Sequence, residues 1–155
     1  MELYRITQEK YSNDLCGNGA RIFGGRWNSE GLFAVYTSSS RALALLETLA
    51  HMPAKYLSEK KYILVTLSLP DNIGREELDW TKLSPGWDTA DTPSLTKRPG
   101  DKFLRSKSSL LLIVPSVLIP EENNYLLNPL HPDLKKLKLI HKRRIYFDVR
   151  VSANL

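Results

Sequence analysis

Residues 32–51, LFAVYTSSSRALALLETLAH, constrain the fold more than any other stretch, because an extended segment runs through three serines straight into an amphipathic helix. Residues 32–37 are rich in β-preferring side chains and follow Gly31. They read as a strand with Leu32, Ala34 and Tyr36 on one face and Phe33, Val35 and Thr37 on the other. Ser38, Ser39 and Ser40 each offer a hydroxyl able to accept from the free N–H groups that open a helix. The helix continues to about His51 and stops before Pro53, with Leu43, Leu46, Leu49 and Ala50 as its apolar stripe. Glu47 lies at the edge of that stripe. It shares a face with Ser40, Ala44 and His51, whose small and polar groups leave room for a ligand.

The rest of the chain extends this unit into a mixed α/β pattern. Residues 62–69 form a second strand, with Ile63, Val65, Leu67 and Leu69 on one face and Pro70, Asp71 and Asn72 closing it. Pro85, Gly86, Pro93, Pro99 and Gly100 break up residues 71–109, where a short helix at residues 101–105 is the one regular element expected. Residues 110–114, flanked by serines and Pro115, suit a buried strand, residues 125–127 follow across a turn, and residues 146–151, YFDVRV, alternate as a late strand. No internal repeat, heptad or low-complexity tract is present, which excludes solenoids and coiled coils. With 155 residues, 42% of them hydrophobic, one compact core is expected, and residues 1–155 read as a single domain.

Composition narrows the function classes. The longest apolar run, residues 110–114, is far below the roughly 20 residues a membrane helix needs. The opening MELYRITQEKYSND lacks the apolar centre of a signal peptide, so the cytoplasm is the expected compartment. Cys16, the single cysteine, excludes an internal disulfide, and neither it nor His51, His131 and His141 shows metal-ligand spacing, so no metal is expected. A net charge of +5 and a pI near 9.3 raise three anionic partners: nucleic acid, a phosphate-rich small molecule, or an acidic protein. Much of the excess falls on Lys135, Lys136, Lys138, Lys142, Arg143 and Arg144, which reads as a solvated face.

Chemistry concentrates in residues 17–47. Gly17, Gly19, Gly24 and Gly25 put four glycines in nine positions and let backbone approach a ligand closely. No Gly-Lys-Ser/Thr follows, which excludes a Walker A loop, and no strand leads in, which argues against a dinucleotide fingerprint. Alone, these glycines read as a turn. Arg21 and Arg26 flank them, and a guanidinium fork suits a pyrophosphate, with Arg26 the stronger candidate. Because Tyr36 sits on the strand and Glu47 on the helix after it, the turn between the two can bring both toward Arg26 and define a cleft.

Taken together, GARIFGGRWNSEGLFAVYTSSSRALALLETLAH, VPSVLIPEENNYLLNPLHPD and the late YFDVR resemble the RES domain over nearly the whole chain, with SLTKRPGDKF a looser match. The resemblance implies an α+β fold like that of ADP-ribosyltransferases, with a mixed, mainly antiparallel sheet flanked by helices. It matches Arg26, Glu47 and Ser116 to the arginine, glutamate and serine that name the family, and Tyr36 to an active-site tyrosine. It further implies a bacterial toxin of a two-gene toxin-antitoxin module that depletes cellular NAD, and an Xre-type helix-turn-helix antitoxin that blocks the cleft, carries the DNA contact and forms a hetero-oligomer. Neither nucleic acid nor membrane is then a direct partner.

On this reading NAD+ is substrate. Glu47 stabilises the ribosyl cation, Arg26 holds the pyrophosphate, Tyr36 stacks on the nicotinamide ring, and Ser116 bonds to the nicotinamide amide or a ribose hydroxyl. Trp27, Asn28 and Asn128 complete the expected NAD-contacting set. The acceptor of the ribose stays open between water, phosphate and a protein side chain. A mono-ADP-ribosyltransferase that modifies a cellular protein is the main competing reading. A nucleic-acid-binding protein or ribonuclease, and an inactive scaffold, rank behind it.

Overall fold

The computed structural model describes residues 1–89, 93–148 and 150. Among these, seven strands form one sheet: β1 (Glu2–Gln8), β2 (Val35–Ser38), β3 (Tyr62–Ser68), β4 (Arg75–Glu77), β5 (Leu111–Pro115), β6 (Asn123–Leu127) and β7 (Lys138–Ile145). Their order across the sheet is β4-β5-β6-β2-β1-β3-β7, and every neighbouring pair is antiparallel except β4 with β5. Helices α1 (Asn18–Phe23), α2 (Arg41–His51), α3 (Ala54–Glu59) and α4 (Pro93–Ser106) accompany the sheet. The result is the mixed, mainly antiparallel α+β domain that the sequence implied. No helix among the described residues is long and apolar enough to cross a membrane.

Side-chain alternation builds a core on each face. Leu3, Ile63, Val65, Leu67, Leu111 and Leu127 form one cluster, while Leu112, Val114 and Leu126 point the other way and pack with Phe103 and Leu104 of α4 and with Trp27. Tyr4, Leu64 and Ala44 join α2 to the sheet on that second side. β1 pairs with β3 at every residue from Glu2 to Gln8, yet meets β2 only at Tyr4 opposite Ser38. Beyond that point β1 and β2 diverge, and the sheet opens into a cleft.

Several elements differ from expectation for identifiable reasons. β2 begins at Val35 rather than at Leu32, because the amide of Asn28 donates to the Leu32 carbonyl at 3.2 Å and holds the preceding residues in a turn. In α2 the cap is as expected, with Ser40 Oγ accepting from the Leu43 N–H at 3.0 Å, but Leu46 and Ala50 are exposed while Leu43 and Ala44 are buried. The inward stripe is therefore rotated toward Ala44, Glu47 and Thr48. The short helix expected at residues 101–105 is the end of the 14-residue α4. Its buried Thr96, Gly100, Phe103 and Leu104 follow helical spacing that Pro99 and Gly100 mask.

The expected late strand at residues 146–151 lies earlier. Residues 146–148 have no regular structure, Val149 and Val151 fall outside the described residues, and β7 occupies Lys138–Ile145 instead. Its charge hid it: Lys138, Lys142, Arg143 and Arg144 lie on an edge strand, where charged side chains discourage pairing with another chain.

Candidate active site

A cavity of about 410 Å³ occupies the opening between β1 and β2, with Arg5, Phe23, Arg26, Tyr36, Glu47 and Asn124 among the residues that line it. Glu47 supplies its carboxylate. Its Oε1 accepts from Ser116 Oγ at 2.9 Å and from Asn124 Nδ2 at 2.5 Å. Ser38 Oγ donates to Asn124 Oδ1 at 2.7 Å, which sets the amide so that its NH2 group faces the glutamate. Ser38 and Asn124 are register partners on β2 and β6, so the sheet itself aims Asn124 at α2. Ser116, fully buried just past β5, also accepts from the N–H groups of Leu118 and Ile119 at 3.1 and 3.2 Å. One turn on from Glu47, His51 Nδ1 lies 2.8 Å from its carbonyl oxygen and 4.0 Å from its Oε2.

Opposite stands the loop that carries Arg26. Gly24 adopts φ 67°, ending α1, and a Cβ at Gly25 would lie 2.5 Å from Tyr36 Oη and 2.9 Å from Asn28 Oδ1. The Tyr36 hydroxyl ties the loop down, accepting from the Trp27 N–H at 3.0 Å and donating to Asn28 Oδ1 at 2.7 Å. Burial, the leading cause, pushes its pKa well above the ordinary value of 10.0, so the phenol stays protonated. From the other side α4 clamps the loop: Thr96 Oγ1 donates to the Arg26 carbonyl at 2.7 Å, and Asp101 accepts from Ser29 N and Oγ at 2.8 and 2.6 Å. Gly100 passes so close that a Cβ there would sit 1.8 Å from the Trp27 oxygen. The Arg26 guanidinium reaches the carbonyls of Trp87 and Thr89 at 3.4 and 3.2 Å, beside the packed rings of Trp27 and Trp87.

The structure thus gathers Arg26, Tyr36, Glu47 and Ser116 around one opening. Ser116 reaches it through Glu47, since its hydroxyl is committed to that carboxylate and to two backbone N–H groups. Of three further residues expected to touch the ligand, Asn28 and Asn128 are held otherwise. Asn28 is buried and donates to the carbonyls of Ala20, Ser29 and Leu32, which braces the loop. Trp27, 2% exposed and packed in the core, also lines the cavity. The expected reach of Asn128 into the cleft is not made: Nδ2 donates to the Leu104 carbonyl and Oδ1 accepts from the Leu130 N–H, which fixes the turn after β6.

Two lining residues had no sequence signal. Asn124 is marked only by its register with Ser38. Arg5, on β1 where the strands part, donates to the Asp14 carbonyl at 2.8 Å, and burial lowers its pKa from the ordinary value. Cys16 is exposed, and its hydrogen bond with the Asp14 carboxylate pushes the thiol pKa up, which disfavours a nucleophile. Among the described residues no cluster of His, Cys, Asp and Glu is placed to hold a metal ion.

The fold also occurs among known proteins. A chain in the crystal structure of the M. tuberculosis MbcT-MbcA toxin-antitoxin complex shares the fold, with a TM-score of 0.76 at 21% identity over 94% of this chain and 84% of that one. The RES domain model matches residues 2–148, and this chain belongs to that family. It is 41% identical over 142 residues to the "Prs ADP-ribosylating toxin" of Sphingobium sp. (strain YBL2), covering 90% of this chain and 88% of the relative. It is 38% identical over 155 residues to "Toxin Res" of Yersinia enterocolitica, covering 98% and 100%. A "Toxin Res" of Pseudomonas putida is 37% identical over 142 residues, covering 90% and 92%.

Proposed function

We propose that this protein is the toxin of a toxin-antitoxin module and breaks the bond between nicotinamide and ribose in NAD+. The observation that carries the reading is the carboxylate of Glu47, fixed on Oε1 by Ser116 and Asn124 while its side chain faces a cavity that Arg5 and Arg26 also line. Nicotinamide leaves a pyridinium as a neutral pyridine and needs little acid catalysis. The demand falls on the electron-poor ribosyl carbon, which a fixed carboxylate stabilises electrostatically. With Oε1 occupied, Oε2 is the oxygen left to face that carbon or a ribose hydroxyl. Arg26 suits the pyrophosphate, and the ring of Tyr36 suits the cationic nicotinamide. Glu47→Gln and Arg26→Ala are each expected to abolish NAD+ loss with the fold intact by circular dichroism. Turnover at the wild-type rate in either purified variant overturns the assignment.

A second reading has its own support, since one close relative bears the name of an ADP-ribosylating toxin of Prs. The same cleavage then ends on a protein side chain rather than on water or phosphate. Labelled NAD+ incubated with the protein and lysate separates the two readings: label on a protein band favours transfer, and free ADP-ribose or its phosphate favours depletion. The partner proposed is an Xre-type helix-turn-helix antitoxin that covers the cleft in a cytoplasmic hetero-oligomer. The family membership and the toxin-antitoxin complex that shares the fold support it. Co-expression with the neighbouring open reading frame and size-exclusion chromatography test for that complex, and a toxin that stays monomeric contradicts it.

A further inference from the structure

We infer that Phe23 is the stacking platform for the adenine base of the dinucleotide, an assignment that rests on the NAD+ reading of the cleft. Phe23 is 81% exposed, the most exposed of the large apolar side chains described, and it lines the same cavity as Arg26 and Glu47. It belongs to none of the three core clusters. Within α1, the residues facing the cavity are Gly19, Ala20 and Phe23, at helical positions i, i+1 and i+4. A Cβ added at Gly19 would meet no atom within 4 Å, and Ala20 projects little, so the helix beside the ring is a shallow shelf. The end of α1 is anchored on both sides of Phe23. The Gly24 N–H donates to the Ala20 carbonyl at 2.9 Å and the Gly31 N–H to the Arg21 carbonyl at 2.7 Å.

Chain geometry orders the substrate. Glu47 takes the ribose that bears nicotinamide, and Arg26 takes the pyrophosphate, so the second nucleoside lies on the far side of Arg26 from Glu47. Phe23, the last residue of α1, precedes Arg26 by three residues. The cleft then offers two aromatic faces for two bases. Tyr36, with its hydroxyl tied to the loop, serves the nicotinamide end, and Phe23, whose ring carries no competing cation among the described residues, serves the outer end. The neighbouring Arg21 guanidinium lies over Phe33 instead, 5.3 Å from its centroid. Every nucleobase presents a π face, and an aromatic ring standing in water gains by covering one.

The test compares NAD+ with nicotinamide mononucleotide, which carries the same scissile bond and no adenine. Because Phe23 is exposed, Phe23→Ala leaves the fold intact. It is expected to raise KM for NAD+ about tenfold, with kcat within about twofold and mononucleotide kinetics unchanged. Phe23→Trp should retain the wild-type KM, and Phe23→Leu, apolar but without a π face, should resemble alanine. Unchanged NAD+ kinetics in Phe23→Ala overturn the assignment, including the case where only antitoxin binding weakens. Equal KM shifts for both substrates overturn it too, since they place the ring at the nicotinamide end. Wild-type protein that releases no nicotinamide overturns the NAD+ reading itself, a different outcome. In that event, ADP-ribose binding that is equal in wild type and Phe23→Ala, or absent from both, overturns the adenine platform as well.

Discussion

At the scale of single residues, the site depends on side chains that hold other side chains. Asn124 is a positioning residue for Glu47, so Asn124→Ala is expected to lower kcat about tenfold while KM for NAD+ stays within about twofold, measured by steady-state nicotinamide release. A purely structural role would lower the melting temperature instead and leave kcat per folded molecule unchanged. Tyr36 makes a prediction about pH. Burial raises its pKa in the folded state above the unfolded value, so the stability it contributes is complete below about pH 10 and falls as pH rises toward the folded value. Wild type should therefore lose more stability between pH 9 and pH 11 than Tyr36→Phe does, read from urea midpoints. Arg26, Tyr36 and Glu47 were legible in the sequence because their chemistry is carried by residue type and their spacing by one loop, strand and helix. Asn124 was not, because its role comes from a hydrogen bond to Ser38 across 86 residues, which only strand register brings together. Asn28 and Asn128 illustrate the converse: both carry the polarity of a ligand contact, and both spend it on backbone carbonyls.

At the scale of elements, α4 decides whether the arginine loop is in place. Gly100 lies against the Trp27 backbone, and the carbonyl there cannot retreat without breaking the Tyr36 tether. Gly100→Ala should destabilise the fold by ~3 kcal/mol in chemical denaturation and abolish turnover, whereas Ser40→Ala, which removes the cap of α2 and a hydrogen bond to Glu122, should cost about 1 kcal/mol. Equal effects of the two substitutions would contradict the clamp. β3 and β5 were legible because their apolar runs match strand periodicity. α4 and β7 were not, since Pro99 and Gly100 disguise a helix whose buried face is otherwise regular, and basic side chains disguise an edge strand. The stripe of α2 was misplaced by a fraction of a turn for a related reason: the helix turns Glu47 and Thr48 inward toward a cavity, not Leu46 toward a core.

At the scale of the whole molecule, the candidate site lies where the sheet fails to close. β1 stays with β3 and leaves β2 after one register pair, and the loop of residues 24–28 and α2 line the gap between them. No local pattern announces that divergence. The fold class and most of the proposed site were legible through ordered motifs spread along the chain, while the cleft arises only from how the two parts of the sheet separate. The basic edge at β7 lies at the opposite end of the strand order from β4 and reads as solvent-facing charge. Glu47 in this cleft is proposed to drive cleavage of the nicotinamide–ribose bond. The most direct measurement is chromatographic: purified wild type and Glu47→Gln incubated with NAD+, with and without phosphate, and free nicotinamide quantified over time. Wild type should release nicotinamide, and the folded variant none above background. Release at equal rates by both, or by neither, would contradict that role of Glu47.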